Sequence, residues 1–466
     1  MDYKTIVIGA GPGGYVCAIR LGQIGIKTLV VDKNYIGGVC LNVGCIPTKA
    51  LIHVASIIEL NEKAKKEFGF NFSDFRYDIE KLREWKDKIV KRLVTGITSL
   101  WKAYNVDFIK GEAIFDSDKK IKVKTEKGEI KEFTAENIVI ATGSSPFILK
   151  GFEPDGEFIW TSDDAVSLKK VPEKLLILGG GAIGLEFAYI YKNLGSDVEV
   201  IELMDQILPG MDKEMAQELT KILKRKGIKI FTERKAKEIS VKNKKVKLLV
   251  DYKGKEEIYE GDVLLISIGR KPNSRIEGIE KLGLKINEKG FIQVDKKRRA
   301  NEKGIYAIGD VAEPPLLAHK ASREGIVAAE VIKGFNSEFD PRCIPSVVYT
   351  IPEFASCGMT EEEARSKGID IEIGRFPLIA SGRALTYGES MGLAKIIVNK
   401  ENDEVIGVHI ISPEASSLIG EGALAIEMGA TSEDIGLTIH PHPTFSEILM
   451  EAAENVHKRA IHILNR

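Results

Sequence analysis

Two stretches of the chain repeat the same alternation of apolar and turn-forming residues. In the first, the apolar run 4–8 predicts a strand, the glycine-rich turn 9–14 follows it, and an apolar helix is predicted to residue 23. The apolar run 29–32 then predicts a second strand. A strand, a glycine turn, a helix and a strand in this order are typical of a βαβ unit.

The second stretch has the same order and the same spacing. A strand is predicted at 174–178, a glycine turn at 179–184, a helix to about residue 194 and a strand at 198–202. Gly179 and Glu202 are separated by as many residues as Gly9 and Asp32. Two copies at matched spacing indicate one device used twice and not two chance turns.

The glycines fit a turn that binds a dinucleotide. Gly9, Gly11 and Gly14 form the pattern G-x-G-x-x-G, and Asp32 lies eighteen residues beyond the last of them. One glycine allows the tight turn, one lets the backbone approach a pyrophosphate, and one lets the helix pack on the strand. The pyrophosphate then lies at the helix N-terminus, and the acid accepts hydrogen bonds from the ribose. We therefore expect the chain to bind two dinucleotides.

Glu202 bears on the identity of the second nucleotide. Leu203 and Met204 follow it, and no arginine lies nearby to pair with a 2′-phosphate. The Glu202 carboxylate would repel such a phosphate, so the sequence favours NAD over NADP.

The remaining pattern predicts further helices and strands and a C-terminal part of different character. Charged helical sequence runs from 51 to 102, and strand-like alternation covers 108–123 and 132–140. Strand-like runs follow at 262–269 and 304–310. From about residue 341 strands are predicted at 346–350, 393–398 and 405–411, with helices at 361–367 and 416–428.

Composition narrows the function classes. A chain of 466 residues predicts roughly three domains. The 67 basic and 68 acidic residues leave a net charge of −1, so no basic excess is present to hold a nucleic acid. The most apolar stretch, 175–191, contains a glycine turn and Glu186 and predicts a strand and helix, not a membrane span. Because the first residues run directly into a strand, we expect no leader peptide and a cytoplasmic protein.

Cys40 and Cys45 form the most distinctive chemical pair. The chain has five cysteines, and only four residues separate these two. A disulfide between them would close a ring too small to add much stability, so redox chemistry is the better explanation. The glycines before Cys40 and the helical sequence after it, 48–60, predict that this thiol lies at a helix N-terminus, where its pKa is lowered. Two small buried residues in a helix are the alternative.

A second group of reactive residues lies near the C-terminal end. His440 and His442 are two of only seven histidines, and Glu447 follows them. Thr444 and Glu447 have the spacing of a capping box, in which the glutamate caps the helix that continues to residue 457. His442 could accordingly be a loop histidine without a role. A capping role for Glu447 does not exclude a catalytic one, because a capping turn would hold Glu447 close enough to the preceding loop to orient an imidazole.

Taken together, the motifs resemble those of the class I pyridine nucleotide-disulfide oxidoreductases over essentially the whole chain. The segments that carry the resemblance are 9–14, 37–49 (GGVCLNVGCIPTK), 179–184, 304–310 (GIYAIGD), 316–319 (LLAH) and 442–447 (HPTFSE). Within this family the chain is most similar to members that oxidise dihydrolipoamide. The resemblance implies an α/β chain with two Rossmann-like domains, for FAD at 1–145 with 271–340 and for NAD at 146–270. It also implies a C-terminal α+β interface domain at 341–466 that forms a homodimer.

The resemblance further implies a set of site residues and no metal. Catalytic roles would fall to Cys40, Cys45, Lys49, Glu186, His442 and Glu447. Cofactor binding would fall to Gly9, Gly11, Gly14, Asp32, Lys33, Gly38, Lys49, Ala113, Thr142, Gly143, Ser144, Asp310, Leu317, Ala318, His319, Gly179, Gly181, Ala182, Ile183, Gly184, Glu186, Glu202, Ala236 and Gly269.

The implied reaction is the oxidation of dihydrolipoamide, carried by a lipoyl-bearing protein of a 2-oxoacid dehydrogenase or glycine cleavage complex. His442, oriented by Glu447, would reach the partner subunit's disulfide and take a proton from the substrate thiol. The thiolate would attack Cys40, and Cys45 would pass electrons through FAD to NAD. Lys49, paired with Glu186, would stand beside the flavin.

Departures from the common family pattern and two rival functions keep the interpretation open. Asp32 is one methylene shorter than the usual glutamate, and Phe445 is expected to narrow the substrate mouth. One rival is an NAD(P)H-dependent reductase of another disulfide, such as a glutathione-like or coenzyme A disulfide. Mercuric reductase is disfavoured because no cysteine follows Cys357. The other rival is a non-catalytic flavoprotein scaffold, which would need neither the two cysteines nor His442 and Glu447.

Overall fold

The computed structural model describes residues 1–71 and 75–465. The strands are β1 (Tyr3–Ile8), β2 (Thr28–Asp32), β3 (Val106–Ser117), β4 (Lys120–Thr125), β5 (Ile130–Ile140), β6 (Ser144–Pro146), β7 (Ile159–Trp160), β8 (Lys174–Leu178), β9 (Asp197–Ile201), β10 (Lys229–Phe231), β11 (Lys235–Lys242), β12 (Lys245–Tyr252), β13 (Lys255–Gly261), β14 (Val263–Ile266), β15 (Arg270–Pro272), β16 (Arg299–Asn301), β17 (Ile305–Ala307), β18 (Ser346–Val348), β19 (Glu353–Gly358), β20 (Ile371–Pro377), β21 (Leu393–Asn399) and β22 (Val405–Ser412). The α-helices are α1 (Pro12–Gln23), α2 (Gly38–Asn42), α3 (Cys45–Glu67), α4 (Ile79–Ala103), α5 (Ser162–Ser167), α6 (Ala182–Asn193), α7 (Lys213–Arg225), α8 (Ala318–Lys333), α9 (Glu361–Ser366), α10 (Gly382–Thr386), α11 (Ala415–Met428), α12 (Ser432–Leu437) and α13 (Glu447–Val456).

The first sheet is built around β1, which lies between β2 and β5 and is parallel to both. Strand β3 extends the sheet beyond β2, and β17 extends it beyond β5, again in parallel. Ile6 and Val7 are fully buried, as expected for a parallel strand covered on both faces. Helix α1 packs against α8 on this sheet. The carboxyl ends of β1 and β2 therefore meet at the edge where the first glycine turn lies.

The second sheet repeats this arrangement with five parallel strands in the order β10-β9-β8-β14-β7. Helix α6 follows β8 directly and packs against α3, so the second unit touches the helix that begins at Cys45. Strands β11, β12 and β13 form a separate antiparallel sheet after it.

The chain crosses between the first and second sheets twice, and the two crossings are paired. Strand β6 runs out and β15 runs back, antiparallel, with Ser145 opposite Lys271. The Arg270 guanidinium donates hydrogen bonds to the hydroxyl and the carbonyl of Ser144, which fixes the two crossing strands to each other.

The C-terminal part forms a third, antiparallel sheet in the order β18-β19-β22-β21-β20. Helices α11 and α13 pack on it. Their apolar residues and those of the strands form one buried cluster that includes Ile410, Ile448 and Cys357.

Two predicted elements are wrong in their continuity. The predicted helix 51–102 is two helices, because α3 ends before Gly69, which adopts a φ of +77°, and Asp78 caps the start of α4. Its carboxylate accepts the backbone N–H groups of Glu80 and Lys81. The predicted strand 108–123 is the hairpin of β3 and β4.

One helical stretch, Gly38–Glu67, is long and apolar enough to cross a membrane by length and composition alone. Its residues Leu51, Ile52 and Ala55 belong to the largest buried apolar cluster. This stretch packs into the protein core through these residues, so its length and apolar composition are not by themselves a sign of a membrane span.

Candidate active site

Cys40 and Cys45 lie on consecutive helices, and their thiol groups interact. Cys40 is inside the short helix α2, whereas Cys45 is the first residue of the long helix α3. The Cys40 thiol donates a hydrogen bond to the Cys45 sulfur; this bond, aided by Lys49 and opposed by burial, lowers the pKa of Cys45 to about 7. The same bond raises the pKa of Cys40. The thiol that begins the long helix and has the lowered pKa is thus Cys45 and not, as predicted, Cys40, which is the protonated partner.

An ion pair stands one helical turn from Cys45. Lys49 Nζ lies 2.9 and 2.8 Å from the two carboxylate oxygens of Glu186, which projects from α6. The Glu186 side chain is only 6% exposed, so it needs a partner to stay charged. Tyr349 completes the group: its N–H donates to Glu186 at 3.1 Å, and its ring centroid is 4.3 Å from Lys49 Nζ. Sequence reasoning placed Tyr349 in a strand but gave no sign of this contact.

In the first glycine turn, Gly9 and Gly14 pack tightly against backbone oxygens, whereas the N-terminus of α1 has no side-chain cap. A Cβ atom at Gly9 would lie 2.2 Å from the carbonyl oxygen of Ala141, and one at Gly14 would lie 1.9 Å from the oxygen of Gly9. No side chain caps the N-terminus of α1, and its first turn holds no acidic residue. The free N–H groups of this helix end therefore suit an anionic pyrophosphate.

The segment 37–49 that carries Cys40 and Cys45, called the dithiol segment below, packs against this turn. A Cβ atom at Gly38 would lie 2.5 Å from the Cα of Gly11, so the backbones of the two glycines are in contact. Gly38 is the first residue of α2 and stands two positions before Cys40. A dinucleotide held on the turn would thus lie beside the thiol pair.

The second glycine turn has the same construction. A Cβ atom at Gly184 would lie 2.1 Å from the oxygen of Gly179, whereas one at Gly181 would meet no atom within 4 Å. Helix α6 begins after Gly181, with Ala182 and Ile183 in its first turn, and it carries no side-chain cap and no acid there. This end also suits a pyrophosphate.

The two acids predicted at ribose positions make matching contacts. Asp32 accepts the N–H of Ala10 at 2.7 Å, and Glu202 accepts the N–H of Gly180 at 2.6 Å. Each carboxylate thereby bridges the end of one strand to the glycine turn of its neighbour. Asp32 also accepts the N–H groups of Asn34 and Tyr35, and Glu202 also accepts that of Met204. Because a carboxylate has about four acceptor sites, about one remains on Asp32 and about two remain on Glu202 for ribose hydroxyls. The residues present fit a dinucleotide at each turn.

Asp310, which was predicted at the flavin end of the first site, is bonded to the start of the crossing strands. The Ser144 hydroxyl donates to Asp310 at 2.5 Å, next to the crossing strands. The preceding residue, Gly309, donates its N–H to the fully buried carboxylate of Glu324 at 2.6 Å. Glu324 was not predicted, and its only sequence signal is an acid on the buried face of α8.

The other predicted cofactor residues lie on several different elements. Three of them make polar side-chain contacts: the Thr142 hydroxyl donates to the carbonyl of Asn273, Lys33 pairs with the exposed Glu112, and a ring nitrogen of His319 lies 2.8 Å from the Pro345 oxygen. The others are placed by their elements: Ala113 lies in β3, Ala236 lies in β11, Leu317 is the N-cap of α8, and Ala318 is its first residue. Gly143 has a positive φ, and Gly269 precedes β15. Within residues 1–71 and 75–465, no group of three or more histidine, cysteine or acidic side chains could hold a metal ion.

His442 and Glu447 are joined by the capping turn. His442 Nδ1 lies 2.8 Å from one carboxylate oxygen of Glu447, and the other oxygen accepts the N–H of Thr444 at 2.7 Å. Although burial opposes it, these two hydrogen bonds hold the pKa of Glu447 below its ordinary value. The glutamate therefore reaches back from the first residue of α13 to the preceding loop and orients the imidazole. Only half of the predicted capping box forms, because the Thr444 hydroxyl donates to the Pro441 carbonyl and the N-cap, Ser446, makes no side-chain cap. The His442 side chain is 79% exposed, and Nε2 is the ring nitrogen left for a substrate.

The surface before His442 is apolar, whereas Phe445 after it is buried. Met428, Leu437 and Ile439 are 75, 72 and 94% exposed. Phe445 is 2% exposed and packs edge-to-face on Tyr387 with ring centroids 5.3 Å apart. Phe445 belongs to the core of the third sheet, so the expectation that it narrows a substrate mouth is wrong.

Comparison with known proteins agrees with this arrangement. Residues 3–325 match the family described as pyridine nucleotide-disulphide oxidoreductase, and residues 344–453 match its dimerisation domain. The chain is 48% identical to the dihydrolipoyl dehydrogenase of Thermus scotoductus, covering all of this chain and 99% of that protein. It is 44% identical to the dihydrolipoyl dehydrogenase of Bacillus subtilis, over all of this chain and 98% of that one.

Solved structures show the same fold. LpdA from Mycobacterium tuberculosis superposes with a TM-score of 0.89 at 27% identity, over 97% of this chain and 99% of that one. The HOCl-induced flavoprotein disulfide reductase RclA from Escherichia coli gives 0.85 at 27% identity over the same shares. The predicted fold class and the resemblance are confirmed. The chain belongs to the pyridine nucleotide-disulphide oxidoreductase family.

Proposed function

We propose that the protein oxidises dihydrolipoamide to lipoamide, using Cys40 and Cys45 as its redox pair, FAD as its bound cofactor and NAD⁺ as the acceptor. The observation that carries this proposal is the docking of the dithiol segment on the first glycine turn, through Gly38 and Gly11. The relatives named dihydrolipoyl dehydrogenase, similar over their full length, support the choice of substrate.

The domains follow from the same proposal. Residues 1–145 with 271–340 bind FAD, with Asp32 at the ribose and Asp310 at the flavin end. Residues 146–270 bind NAD, with Glu202 at its ribose, and residues 341–466 form the dimer interface. FAD, when bound, supplies the two-electron centre between the dithiol and the nicotinamide. Its two hydrogen bonds to Glu186 fix the position of the Lys49 ammonium group, which would lie beside that centre.

The thiol chemistry is assigned to His442 and the two cysteines. His442 Nε2 takes the proton of a substrate thiol, and the thiolate attacks Cys40 of the Cys40–Cys45 disulfide. Cys45 leaves as a thiolate, which its low pKa favours because a more acidic thiol is the better leaving group. The second substrate thiol then attacks the substrate sulfur bound to Cys40. Oxidised lipoamide leaves, and Cys40 regains a proton.

The site is completed by a second copy of the chain. The match to the dimerisation domain and the exposed apolar residues before His442 support a homodimer. We propose that His442 and Glu447 serve the dithiol of the opposite subunit. The substrate arrives on a lipoyl-bearing protein, and the site of action is the cytoplasm, where a catalytic disulfide is expected more often than a structural one.

The substrate assignment is tested with the FAD-loaded protein. Reduction of NAD⁺ by dihydrolipoamide should be rapid and should be lost in the Cys45→Ser variant, whereas the buried Cys17→Ala control keeps it. Preference for NADPH with glutathione or coenzyme A disulfide would instead select the rival reductase. A wild-type protein without thiol-dependent activity, in which Cys45→Ser therefore removes none, would leave only the scaffold.

Contribution across the interface is tested by mixing two inactive variants. A heterodimer of a Cys45→Ser chain and a His442→Ala chain contains one intact site if the histidine acts on the opposite subunit. Its activity should then approach half that of the wild type. A heterodimer that stays inactive would show that His442 and the dithiol of one chain act together.

A further inference from the structure

Two cysteines outside the candidate active site form a second thiol pair. Cys343 lies in the irregular segment before β18, and Cys357 lies in β19. Strand β18 pairs antiparallel with β19, with Val347 opposite Ala355, and continuing this register brings the segment before β18 beside Cys357. A hydrogen bond between the two thiols shifts both of their pKa values, as in the pair of Cys40 and Cys45. Neither cysteine has a part in the chemistry proposed above.

The pair is held in a defined place between the third sheet and α11. The Cys343 N–H donates to Glu427 at 3.4 Å, and its thiol donates to the carbonyl oxygen of Ala423 at 3.8 Å. Cys357 is opposite Val408 in the β19–β22 ladder and is 2% exposed. The two thiols meet because both side chains pack into the same apolar cluster.

The two thiols differ in reactivity. The hydrogen bond from Cys357, with help from Arg342 and against burial and Glu427, lowers the pKa of Cys343. The same bond and burial raise the pKa of Cys357. Cys343 is also the more accessible of the two. It is therefore the nucleophile of the pair, and Cys357 is the sulfur that would resolve a mixed disulfide.

We propose that Cys343 and Cys357 form a second, reversible disulfide, made by exchange with a small aliphatic disulfide. The Cys343 thiolate attacks one sulfur of that disulfide and releases the first small thiol. Cys357 then attacks the Cys343 sulfur and releases the second. Two protein thiols are oxidised by two electrons, one small disulfide is reduced to two thiols, and the two protein protons leave on them.

A disulfide between Cys343 and Cys357 requires the two sulfurs to move closer, and it would cross-link two parts of the C-terminal sheet domain. An S–S bond is about 2 Å long, so the hydrogen-bonded sulfurs must approach each other. Cys343 lies outside a regular element, so its side chain is not fixed by a β-ladder as that of Cys357 is. The bond would fasten the start of the dimerisation domain to β19, closing a loop between positions 343 and 357.

The proposal is tested by thiol counting and peptide mapping of the FAD-loaded protein. The native protein is incubated with glutathione disulfide, denatured, alkylated and digested. Of its five cysteines, oxidation of both pairs leaves one free thiol, on Cys17. We expect a cross-linked 343–357 peptide in the wild type, and a free Cys357 thiol in the Cys343→Ala variant. Free thiols on both residues, or glutathione that stays on Cys343 without a cross-link, would overturn the proposal.

A second measurement separates this bond from the catalytic pair. In a Cys40→Ser/Cys45→Ser background, oxidation should raise the midpoint of thermal unfolding by a few degrees, because the cross-link restricts the unfolded chain. Reduction should reverse the shift, and adding Cys343→Ala should abolish it. Equal midpoints for the oxidised and reduced proteins would contradict the bond.

Discussion

Replacement of Glu447 by glutamine changes the hydrogen bonding of His442 with little change in shape. The two carboxylate oxygens of Glu447 serve two donors, the His442 ring and the Thr444 N–H. Glutamine has one oxygen and one NH₂ group. The Thr444 N–H is part of the backbone and cannot turn away, whereas the exposed imidazole can bond to water. The amide oxygen should therefore stay with Thr444, and the NH₂ group should face His442.

This arrangement impairs the base in two ways. A charge-assisted hydrogen bond worth about 1.5–3 kcal/mol is lost, and roughly tenfold in rate corresponds to each 1.4 kcal/mol. An NH₂ group facing Nδ1 also favours the tautomer with its proton on Nε2, the nitrogen that must accept the substrate proton. The whole contribution of a general base is about 10²–10⁴, which bounds the effect. We expect kcat/KM for dihydrolipoamide to fall by about 100-fold.

The assay compares two reactions of the same FAD-loaded protein. NAD⁺ reduction by dihydrolipoamide requires His442, whereas ferricyanide reduction by NADH does not involve the thiol base. Glu447→Gln should lower only the first. Glu454→Gln, on the same helix and bonded to Arg459, is the matched control and should lower neither. If Glu447→Gln stays within threefold of wild type, or if both reactions fall together, the role given to Glu447 is refuted.

Three further predictions follow from the geometry of the site. In the reduced protein, the rate at which iodoacetamide alkylates Cys45 should rise with pH and reach half its maximum near pH 7, because the pKa of this thiol is lowered to about 7. A half-maximum near pH 9, the value of an ordinary thiol, would contradict this. Gly14→Ala should lower the free energy of unfolding by about 2–3 kcal/mol and weaken FAD binding, because its Cβ would overlap the oxygen of Gly9, as denaturant titration and flavin release would show. Gly96→Ala, whose Cβ meets no atom within 4 Å inside α4, should instead raise that free energy by about 0.5–1 kcal/mol. Glu202→Gln should improve the use of NADP relative to NAD by about tenfold in kcat/KM, because a repelling charge is removed.

The two βαβ units were predictable from sequence to within about a residue. Strand β8 spans the predicted 174–178, and α1 ends at the predicted residue 23. Glycine turns set these boundaries locally, since a Cβ there would overlap the backbone. The break between α3 and α4 also had a local signal, in Gly69 and Asp78, which the predicted continuous helix passed over. Strands rich in charged residues, such as β11 and β13, were missed because more than half of their residues face solvent.

The candidate site was predictable in its residue types but not in its contacts. The spacing of Cys40 and Cys45 indicated a redox pair, but which of them begins a helix depends on the turn at Gly44. The contact of Tyr349 with the Lys49–Glu186 pair joins three distant segments, so no local pattern could reveal it. Phe445 was misplaced because its nearness to His442 in sequence says nothing about which way the side chain packs.

The paired crossing strands β6 and β15 bring together the two ends of the segment between them, which we propose binds NAD. Its two ends enter and leave side by side, through the ladder between 144–146 and 270–272. The stretch 147–269 can thus be exchanged for that of a relative with the opposite coenzyme choice, and the splice would fall where both ends already meet. The donor must keep the carboxylates that pair with the rest of the chain: Glu186, the partner of Lys49, and Asp212 and Glu214, the partners of the buried Lys395.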